Sequence, residues 1–341
     1  MNFLTIENHP EETALKRILI TGGAGFIGSH LCDTLLAEGH HVVAIDNLST
    51  GKLSNIQHLL SNSNFQFVRE TIRNPLVLDR LTSEAHIVVH LAAAVGVKLI
   101  VDDPVHTINT NIMGTEAVLS AANRYGCKVL IASTSEVYGK GTRVPFREED
   151  DCVIGPTSRS RWAYATSKAV DEFLSLAYHR QFGLPVVVMR FFNTVGPRQT
   201  GRYGMVVPRF VRQALDGEAV TVYGDGRQSR CFADVADIVW AISALIEHPG
   251  AVGQVFNIGS TEEVTIMELA ERVIALTGSA SSIEFIPYDE AYAPGFEDMR
   301  RRVPSIERVN RTIGYDPQHS LDDTVKKVID FERSLQFSQM D

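Results

Sequence analysis

A glycine-rich turn between an apolar run and a helical pattern limits the possible folds more than any other feature of the sequence. The apolar run at 17–20 is followed at once by Gly22, Gly25 and Gly28, and a helical pattern extends over 27–38. A second apolar run then ends at Asp46. A strand, a turn, a helix and a strand within about 30 residues are typical of one βαβ unit of a parallel sheet.

The alternation of strands and helices continues along the chain. Apolar runs at 86–93, 128–133 and 185–191 predict buried strands, and the patterns at 105–125 and 164–182 predict helices. Continuous apolar strands between helices indicate a parallel sheet that is covered on both faces. We therefore predict an α/β fold with a doubly wound parallel sheet, the Rossmann type.

The amino-acid composition of the chain changes after residue 192. Gly, Pro and Arg become frequent in 193–233, which we expect to be loop-rich and to face a ligand. Residues 234–260 return to a helix and a strand, and 261–330 shows two helical patterns separated by a Pro-rich loop. We predict a dinucleotide-binding domain from 14–192 plus 234–260, and a smaller C-terminal substrate-binding lobe from 193–233 plus 261–330.

Charge and cysteine usage exclude several classes of partner. The 341 residues carry a net charge of -9 and contain no basic run, so a nucleic acid partner is not expected. The four cysteines lie far apart in the sequence, which argues against a zinc site or a disulfide framework. The start of the chain lacks the apolar run of a signal peptide, and no stretch is long enough for a membrane span. We expect a cytoplasmic protein without a metal ion or a membrane contact.

The glycine turn predicts a binding site for a dinucleotide. Glycine lets a pyrophosphate approach the backbone, and the N-terminus of the following helix supplies N–H donors and partial positive charge. Asp46 stands 18 residues beyond Gly28 at the end of the second strand. A carboxylate there binds the adenosine ribose and repels a 2′-phosphate, which favours NAD over NADP. A plain tight turn without a ligand is the alternative.

Tyr164 and Lys168 form a candidate acid–base pair. They are four positions apart on a predicted helix and therefore share one face. A nearby ammonium and a positively charged nicotinamide both favour the phenolate. Lowering the phenol pKa by ~3 takes roughly 4 kcal/mol. The hydroxyl cluster around Thr134 follows a strand, where α/β sheets place their ligands. Taken alone, the spacing also fits a surface helix with an exposed lysine.

At this point the sequence resembles the extended short-chain dehydrogenase/reductase family over roughly residues 16–330. The resemblance rests on GGAGFIG, DNLSTG, HLAA, NTNIMGT, STSEVYG, YATSK, RFFNTVGPR and VYGDGRQSR. It implies an enzyme that binds NAD and a nucleotide sugar, most commonly a UDP-sugar, and oxidises the sugar at C4. Thr71 stands where the family often has an aspartate that faces the adenine, which puts that single contact in doubt.

The resemblance also implies roles for individual residues. The implied catalytic residues are Thr134, Glu136, Tyr164, Lys168 and Arg302. The implied cofactor-binding residues are Gly22, Gly25, Phe26, Ile27, Gly28, Asp46, Asn47, Ser49, Thr50, Gly51, Leu91, Ala92, Ala93, Asn111, Tyr164 and Lys168. The implied substrate-binding residues are Arg161, Asn193, Arg209, Tyr223, Arg230 and Arg302. Asp237 also matches a family aspartate, although an acid at a helix N-terminus explains it equally well.

The residues after Thr134 indicate which reaction follows the oxidation. Ser135 and Glu136, together with Arg161 and Arg302, resemble the pattern of UDP-glucuronate decarboxylases. Arginine donors suit a carboxylate substrate. A 4-epimerase is the second hypothesis and a 4,6-dehydratase the third. Glu136 can instead pair locally, and the run from Arg300 can be surface charge.

The sequence also bears on the assembly of the protein and on an alternative function without catalysis. The helices near 104–125 and 164–182 carry apolar residues on more than one face, and in relatives such helices pair across a two-fold axis. We therefore expect a homodimer. A scaffold or sensor that only binds NAD is the non-enzymatic alternative, against which the intact Thr134, Tyr164 and Lys168 set speaks.

Overall fold

The computed structural model describes residues 15–95, 103–201, 205–291 and 299–337. Its largest sheet has seven strands, which are β1 (Arg17–Thr21), β2 (His41–Ile45), β3 (Phe65–Val68), β4 (Ile87–His90), β5 (Lys128–Thr134), β6 (Val186–Phe191) and β11 (Val255–Ile258). Their order across the sheet is β11-β6-β5-β4-β1-β2-β3, and every neighbouring pair is parallel. The predicted doubly wound α/β fold is confirmed.

Six helices accompany this sheet. They are α1 (Phe26–Ala37), α2 (Pro75–Ser83), α3 (Pro104–Tyr125), α4 (Arg161–Phe182), α6 (Val235–Glu247) and α9 (Glu307–Ile313). Successive residues of β1 point to opposite faces, as the geometry of a strand requires. Ile18 and Ile20 belong to a core with residues of α1, α6 and α9, whereas Leu19 belongs to a second core with residues of α2 and α3. Both faces of the sheet are therefore buried.

The rest of the described chain forms short strands and a third core. The strands are β7 (Thr194–Val195), β8 (Val220–Tyr223), β9 (Ser229–Cys231), β10 (Ala233–Asp234), β12 (Glu263–Thr265), β13 (Ile283–Ile286) and β14 (Arg301–Arg302). The helices are α5 (Val206–Leu215), α7 (Ile266–Thr277), α8 (Tyr288–Ala291) and α10 (Leu321–Phe337). The third core packs Phe210 of α5, Leu269 of α7 and Val325 of α10 together.

The structure corrects three sequence expectations. The strand expected over 86–93 ends at His90, because the following residues pass close to the glycine turn: a Cβ on Gly22 would lie 2.9 Å from the Ala92 nitrogen. The segment 193–233 is not mainly loop, since it contains α5 and four short strands. The segment 261–330 contains the strand β13 as well as α7, α9 and most of α10.

Within the described residues no helix combines the length and the apolar character needed to cross a bilayer. No group of three or more His, Cys, Asp or Glu side chains in the same residues is arranged to hold a metal ion. The division into a dinucleotide-binding domain and a substrate-binding lobe at the boundaries given above stays a prediction.

Candidate active site

A cavity of about 660 Å³ opens where the strands of the large sheet end. Parallel α/β sheets bind their ligands at this carboxyl edge. Most of the residues that the sequence implied line the cavity together. They are Gly22, Gly25, Phe26, Ile27, Gly28, Asp46, Asn47, Ser49, Thr50, Leu91, Ala92, Ala93, Thr134, Glu136, Arg161, Tyr164, Lys168, Asn193, Arg209, Tyr223, Arg230 and Arg302.

Two implied cofactor residues, Gly51 and Asn111, do not line the cavity. A Cβ on Gly51 would lie 2.8 Å from Asp46 Oδ2, so this glycine permits close packing against the Asp46 carboxylate. The Asn111 side chain is buried, where its Oδ1 accepts the Ala94 N–H at 2.8 Å and its Nδ2 donates to Ser167 Oγ at 3.0 Å. Both residues support the walls of the cavity from outside it.

The glycine turn forms a cradle that only glycine backbones fit. Gly22 has a positive φ of 73°, which residues with a Cβ rarely adopt. A Cβ on Gly28 would lie 2.9 Å from Gly23 Cα and still closer to the Gly22 carbonyl oxygen. Gly25 takes the N-cap position of α1, so no side chain stands in front of the first-turn N–H groups. This arrangement fits the pyrophosphate of a dinucleotide.

Asp46 lies at the end of β2 and faces the same cavity. Its Oδ2 accepts the Ala24 N–H at 3.0 Å and its Oδ1 accepts the Leu48 N–H at 2.7 Å. Burial raises the pKa of Asp46, and the backbone donors of Leu48 and Ala24 oppose that increase. The carboxylate is thus held rigidly, with lone pairs left for ribose hydroxyls. The donor and acceptor set of the cavity therefore fits NAD.

Tyr164 and Lys168 lie on α4 and are both buried against the cavity. The Tyr164 phenol forms a hydrogen bond with the Thr134 hydroxyl at the end of β5. Lys168 Nζ donates to Asp171 Oδ2 at 2.7 Å. The predicted trio of Thr134, Tyr164 and Lys168 is therefore assembled at one place, with Asp171 as an additional member.

The electrostatic surroundings of Tyr164 differ from the sequence expectation. Burial and the negative charges of Glu136 and Asp171 raise the pKa of Tyr164 above its usual range. The hydrogen bond from Thr134 and the charge of Arg302 act in the opposite direction. Lys168 was expected to favour the phenolate together with the charge of the nicotinamide, but the charge of Lys168 is paired with Asp171. The protein groups therefore keep the phenol protonated.

Glu136 is clamped between two arginines on the far side of Tyr164. Its Oε2 lies 2.6 Å from Arg161 Nη1, and its Oε1 lies 2.7 Å from Arg302 Nη2. All three side chains are buried. Burial alone would raise the pKa of Glu136, but the charges of Arg302 and Arg161 outweigh it and lower the pKa to about 2. We call these three residues the arginine–glutamate clamp; it carries one net positive charge.

Replacing Glu136 by Gln should destabilise the protein at neutral pH and much less in acid. Because the folded pKa of about 2 lies below the ordinary 4.5, the carboxylate stabilises the fold above pH 4.5 and loses this contribution as the pH falls toward 2. We expect a loss of about 3 kcal/mol in the free energy of unfolding at pH 7. Urea unfolding at pH 7 and near pH 3, with the exposed Glu218→Gln as control, measures it. An equal loss at both pH values would contradict the ionised clamp.

The implied nucleotide-binding residues lie on the short strands and on α5. The Arg209 guanidinium stacks 3.8 Å from the centre of the Tyr223 ring and also donates to the Thr221 carbonyl oxygen at 3.1 Å. Arg230 on β9 is buried, and its strand pairs with β14 so that Arg302 lies opposite it in register. Arg230 and Arg302 therefore lie side by side on one small sheet, and their roles toward the nucleotide and the sugar stay predictions.

Sequence reasoning missed several residues of the site. Gln228 and Tyr288 line the cavity, and Tyr288 packs against Gly224. Gln228 lies within the motif VYGDGRQSR, which could have indicated it, whereas Tyr288 belongs to none of the motifs quoted above. Asp171 was also missed, although a carboxylate three positions after Lys168 on a helix is a pattern that indicates an ion pair.

The family model described as "NAD dependent epimerase/dehydratase family" matches residues 18–259. The chain is 42% identical over 322 residues to UDP-N-acetyl-alpha-D-glucosaminuronate decarboxylase of Bacillus cytotoxicus, which covers 94% of this chain and 99% of that protein. It is 38% identical to UDP-glucuronic acid decarboxylase 1 of Danio rerio, over 94% of this chain and 74% of that protein.

Solved structures of related proteins share the fold. UDP-glucuronic acid 4-epimerase from Bacillus cereus, in complex with UDP-glucuronic acid and NAD, superposes with a TM-score of 0.84 at 33% identity. The match covers 94% of this chain and 99% of that one. These relatives bear out NAD as the cofactor and a nucleotide sugar as the class of substrate.

Proposed function

The chain belongs to the NAD-dependent epimerase/dehydratase family, and we propose that it decarboxylates a UDP-linked uronic acid after transient oxidation of the sugar at C4. It is an NAD-dependent enzyme that acts on nucleotide sugars. The single observation that carries the choice of reaction is the arginine–glutamate clamp, which faces the same cavity as Tyr164.

The charge of the clamp suits a substrate that carries a carboxylate. Two guanidiniums and one carboxylate leave one positive charge in a buried site, which a uronate neutralises. A neutral hexose would leave that charge uncompensated at a cost of several kcal/mol. Arg230 adds a further positive charge near Glu136 and suits the diphosphate. The clamp therefore favours a uronate over a neutral sugar.

The residues of the site can perform the proposed sequence of steps. Bound NAD supplies reversible hydride acceptance at C4. The positive charge of a bound nicotinamide would favour the phenolate of Tyr164, which, next to Thr134, accepts the C4 hydroxyl proton as the ketone forms. The C5–C6 bond of the resulting β-keto acid then breaks, carbon dioxide leaves, and the electron pair passes to the C4 oxygen. Tyr164 and Thr134 stabilise that oxygen by hydrogen bonding, and C5 takes up a proton from solvent. The hydride then returns to C4 while Tyr164 gives the proton back to the C4 oxygen, so the cofactor ends in its starting oxidation state.

Glu136 favours the loss of carbon dioxide, because it weakens the interaction between the clamp and the substrate carboxylate. If the two arginines faced the substrate alone, they would stabilise its carboxylate strongly in the ground state and slow its loss. Glu136 occupies one donor of each arginine and places a negative charge nearby. The carboxylates of Glu136 and of the substrate repel each other. This repulsion disappears as the substrate carboxylate becomes neutral carbon dioxide. The clamp thus binds the uronate without holding it too tightly.

A 4-epimerase is the second candidate. The specific observation in its favour is the fold and 33% identity shared with the UDP-glucuronic acid 4-epimerase, whose substrate is also a uronate. The decarboxylases named above are more similar in sequence to this chain, at 42% and 38% identity. A binding module without catalysis is the third reading, and it predicts that the product panel below stays unchanged.

A panel of substrates distinguishes these candidates. The protein is incubated with NAD and UDP-glucuronate, UDP-N-acetylglucosaminuronate or UDP-glucose, and the products are analysed by mass spectrometry and NMR. Decarboxylation removes the mass of carbon dioxide from a uronate, dehydration removes that of water, and epimerisation changes only the NMR spectrum. Unchanged mass with a new C4 isomer would replace our proposal by the epimerase. The two uronates also show which C2 substituent is preferred.

We also propose that the protein forms a homodimer through α3 and α4. These helices pack on each other and expose large apolar side chains, among them Ile108, Met113, Val170 and Phe173. Phe173 is 70% exposed. Apolar side chains on two adjacent helices are a surface that a second copy can cover.

Phe173→Glu should weaken this association by at least 2 kcal/mol, roughly 30-fold in Kd, because it would bury an unpaired charge in the interface. Sedimentation equilibrium at micromolar concentration measures the change. Phe285→Glu, which places the same charge at an exposed phenylalanine of β13, is the matched control. A wild-type protein that sediments as a monomer would refute the proposal.

A further inference from the structure

A buried chain of polar side chains reaches Lys168 from the first strand of the sheet. Lys168 Nζ donates to Asp171 Oδ2 at 2.7 Å, and the Thr115 hydroxyl lies near enough to Asp171 to lower the pKa of that carboxyl. Thr115 Oγ1 lies 3.1 Å from His90 Nε2, and His90 Nδ1 lies 2.7 Å from Thr21 Oγ1. Each of the five residues is at most 2% exposed. We call this series the Lys168–Thr21 chain.

The far end of the Lys168–Thr21 chain lies under the dinucleotide cavity. Thr21 directly precedes Gly22, and its Oγ1 also accepts the Ala92 N–H at 3.2 Å. Both Gly22 and Ala92 line the cavity. The chain therefore connects the glycine turn and the end of β4 to the ammonium of the candidate acid–base pair.

Asp171 is the member of this chain that balances the lysine charge. A buried ammonium costs several kcal/mol unless a counter-charge accompanies it. His90 does not add to the charge, because burial and the nearby Lys168 lower its pKa to about 3. The neighbouring Glu172 pairs with Arg190 at 2.7 Å instead. The buried Lys168–Asp171 pair is thus neutral.

We propose that Asp171 is a positioning residue for the acid–base pair: it fixes the Lys168 ammonium beneath the cavity and offsets the effect of that ammonium on Tyr164. This inference rests on the proposed function, because it takes Tyr164 as the base. The role is separate from binding, since Asp171 does not line the cavity, whereas Lys168 and Tyr164 do.

The charges around Tyr164 determine in which direction its titration should move when Asp171 loses its charge. Glu136 in the turn after β5 and Asp171 on the same helix favour the protonated phenol. Arg302 from β14 and the hydrogen bond from Thr134 favour the phenolate. Asp171→Asn keeps the shape of the side chain and removes its negative charge. Tyr164 should then ionise at a lower pH, by roughly one unit.

The first experiment titrates the phenol directly in the protein without substrate. The ultraviolet difference spectrum of ionised tyrosine is recorded against pH for the wild type, D171N and the same two proteins with Tyr164→Phe, so that subtraction isolates Tyr164. We expect the titration of Tyr164 in D171N to move to lower pH. A titration at the wild-type pH overturns the proposal, because a purely structural Asp171 would change stability without moving this pH.

The second experiment measures turnover of the NAD-loaded enzyme against pH. The acid limb of kcat should move to lower pH by the same amount in D171N, while Asp171→Ala, which also removes the hydrogen bonds, should lower kcat at every pH. Asp330→Asn on the exposed side of α10 is the control and should change neither. If Tyr164→Phe retains full turnover, the proposed function fails. If only the D171N shift is missing, this inference alone fails.

Discussion

Tyr164→Phe is expected to reduce turnover by about 10²–10⁴-fold, the contribution typical of a positioned acid–base group. The phenol is buried, bonded to Thr134 and faces the cavity, so the variant loses one hydroxyl and little packing. The affinity for NAD should change by less than about tenfold, since the glycine cradle and Asp46 remain. Product formation measured by NMR tests the loss of turnover, and NAD binding measured by calorimetry tests the retained affinity.

A matched control for this variant lies on the same helix. Tyr178→Phe removes the same atom from a partly buried tyrosine outside the cavity and should leave turnover unchanged. If Tyr164→Phe and Tyr178→Phe behave alike, Tyr164 is not the base, and the proposed mechanism has to be abandoned.

Gly28→Ala should lower the affinity for NAD by about 100-fold or more, nearly 3 kcal/mol. The new methyl group would overlap the Gly22 carbonyl oxygen, which is backbone and has no alternative rotamer. The turn must therefore open, and the pyrophosphate cradle opens with it. Overpacking of this kind lowers the free energy of unfolding by about 1–3 kcal/mol. A domain whose free energy of unfolding is about 5–15 kcal/mol stays folded after such a loss.

Gly250→Ala is the control for this substitution. Its Cβ would meet only the end of the His248 side chain, which can rotate away. Calorimetric titration with NAD and a thermal melt of each variant separate lost binding from lost folding. A folded Gly28→Ala variant with wild-type affinity would show that the cradle is not where the pyrophosphate binds.

The parts of this molecule that were predictable from the sequence are those with a short-range signature. Glycine spacing and strand-length apolar runs depend on residues within one turn or strand, and they located the cradle and the core of the sheet correctly. The helix α5 was missed because the glycines on either side of it hide an amphipathic pattern of only ten residues. The expectation of a loop-rich segment that faces a ligand therefore held only for the residues between α5 and the short strands, several of which line the cavity.

Long-range contacts were predictable only by resemblance. Glu136 and Arg302 are far apart in the sequence, and no periodicity indicates that β14 places this arginine against that glutamate. The lower phenol pKa was expected from Lys168 and the nicotinamide together. The share expected from Lys168 was too large, because the sequence does not show how strongly burial raises the phenol pKa, nor that Asp171 neutralises the lysine. Electrostatics of a buried site depends on every neighbour at once.

If the proposed dimer forms through Phe173 on the outer side of α4, self-association and cofactor binding use opposite sides of one helix. Tyr164 and Lys168 lie on the inner side of the same helix, so α4 is common to both equilibria. Thermodynamic linkage requires that dimerisation changes the affinity for NAD by the same factor by which NAD changes the affinity between subunits. If the dimer binds NAD more tightly than the monomer does, NAD must therefore stabilise the dimer. Dilution would then act as a regulator of the enzyme, releasing cofactor as the subunits separate.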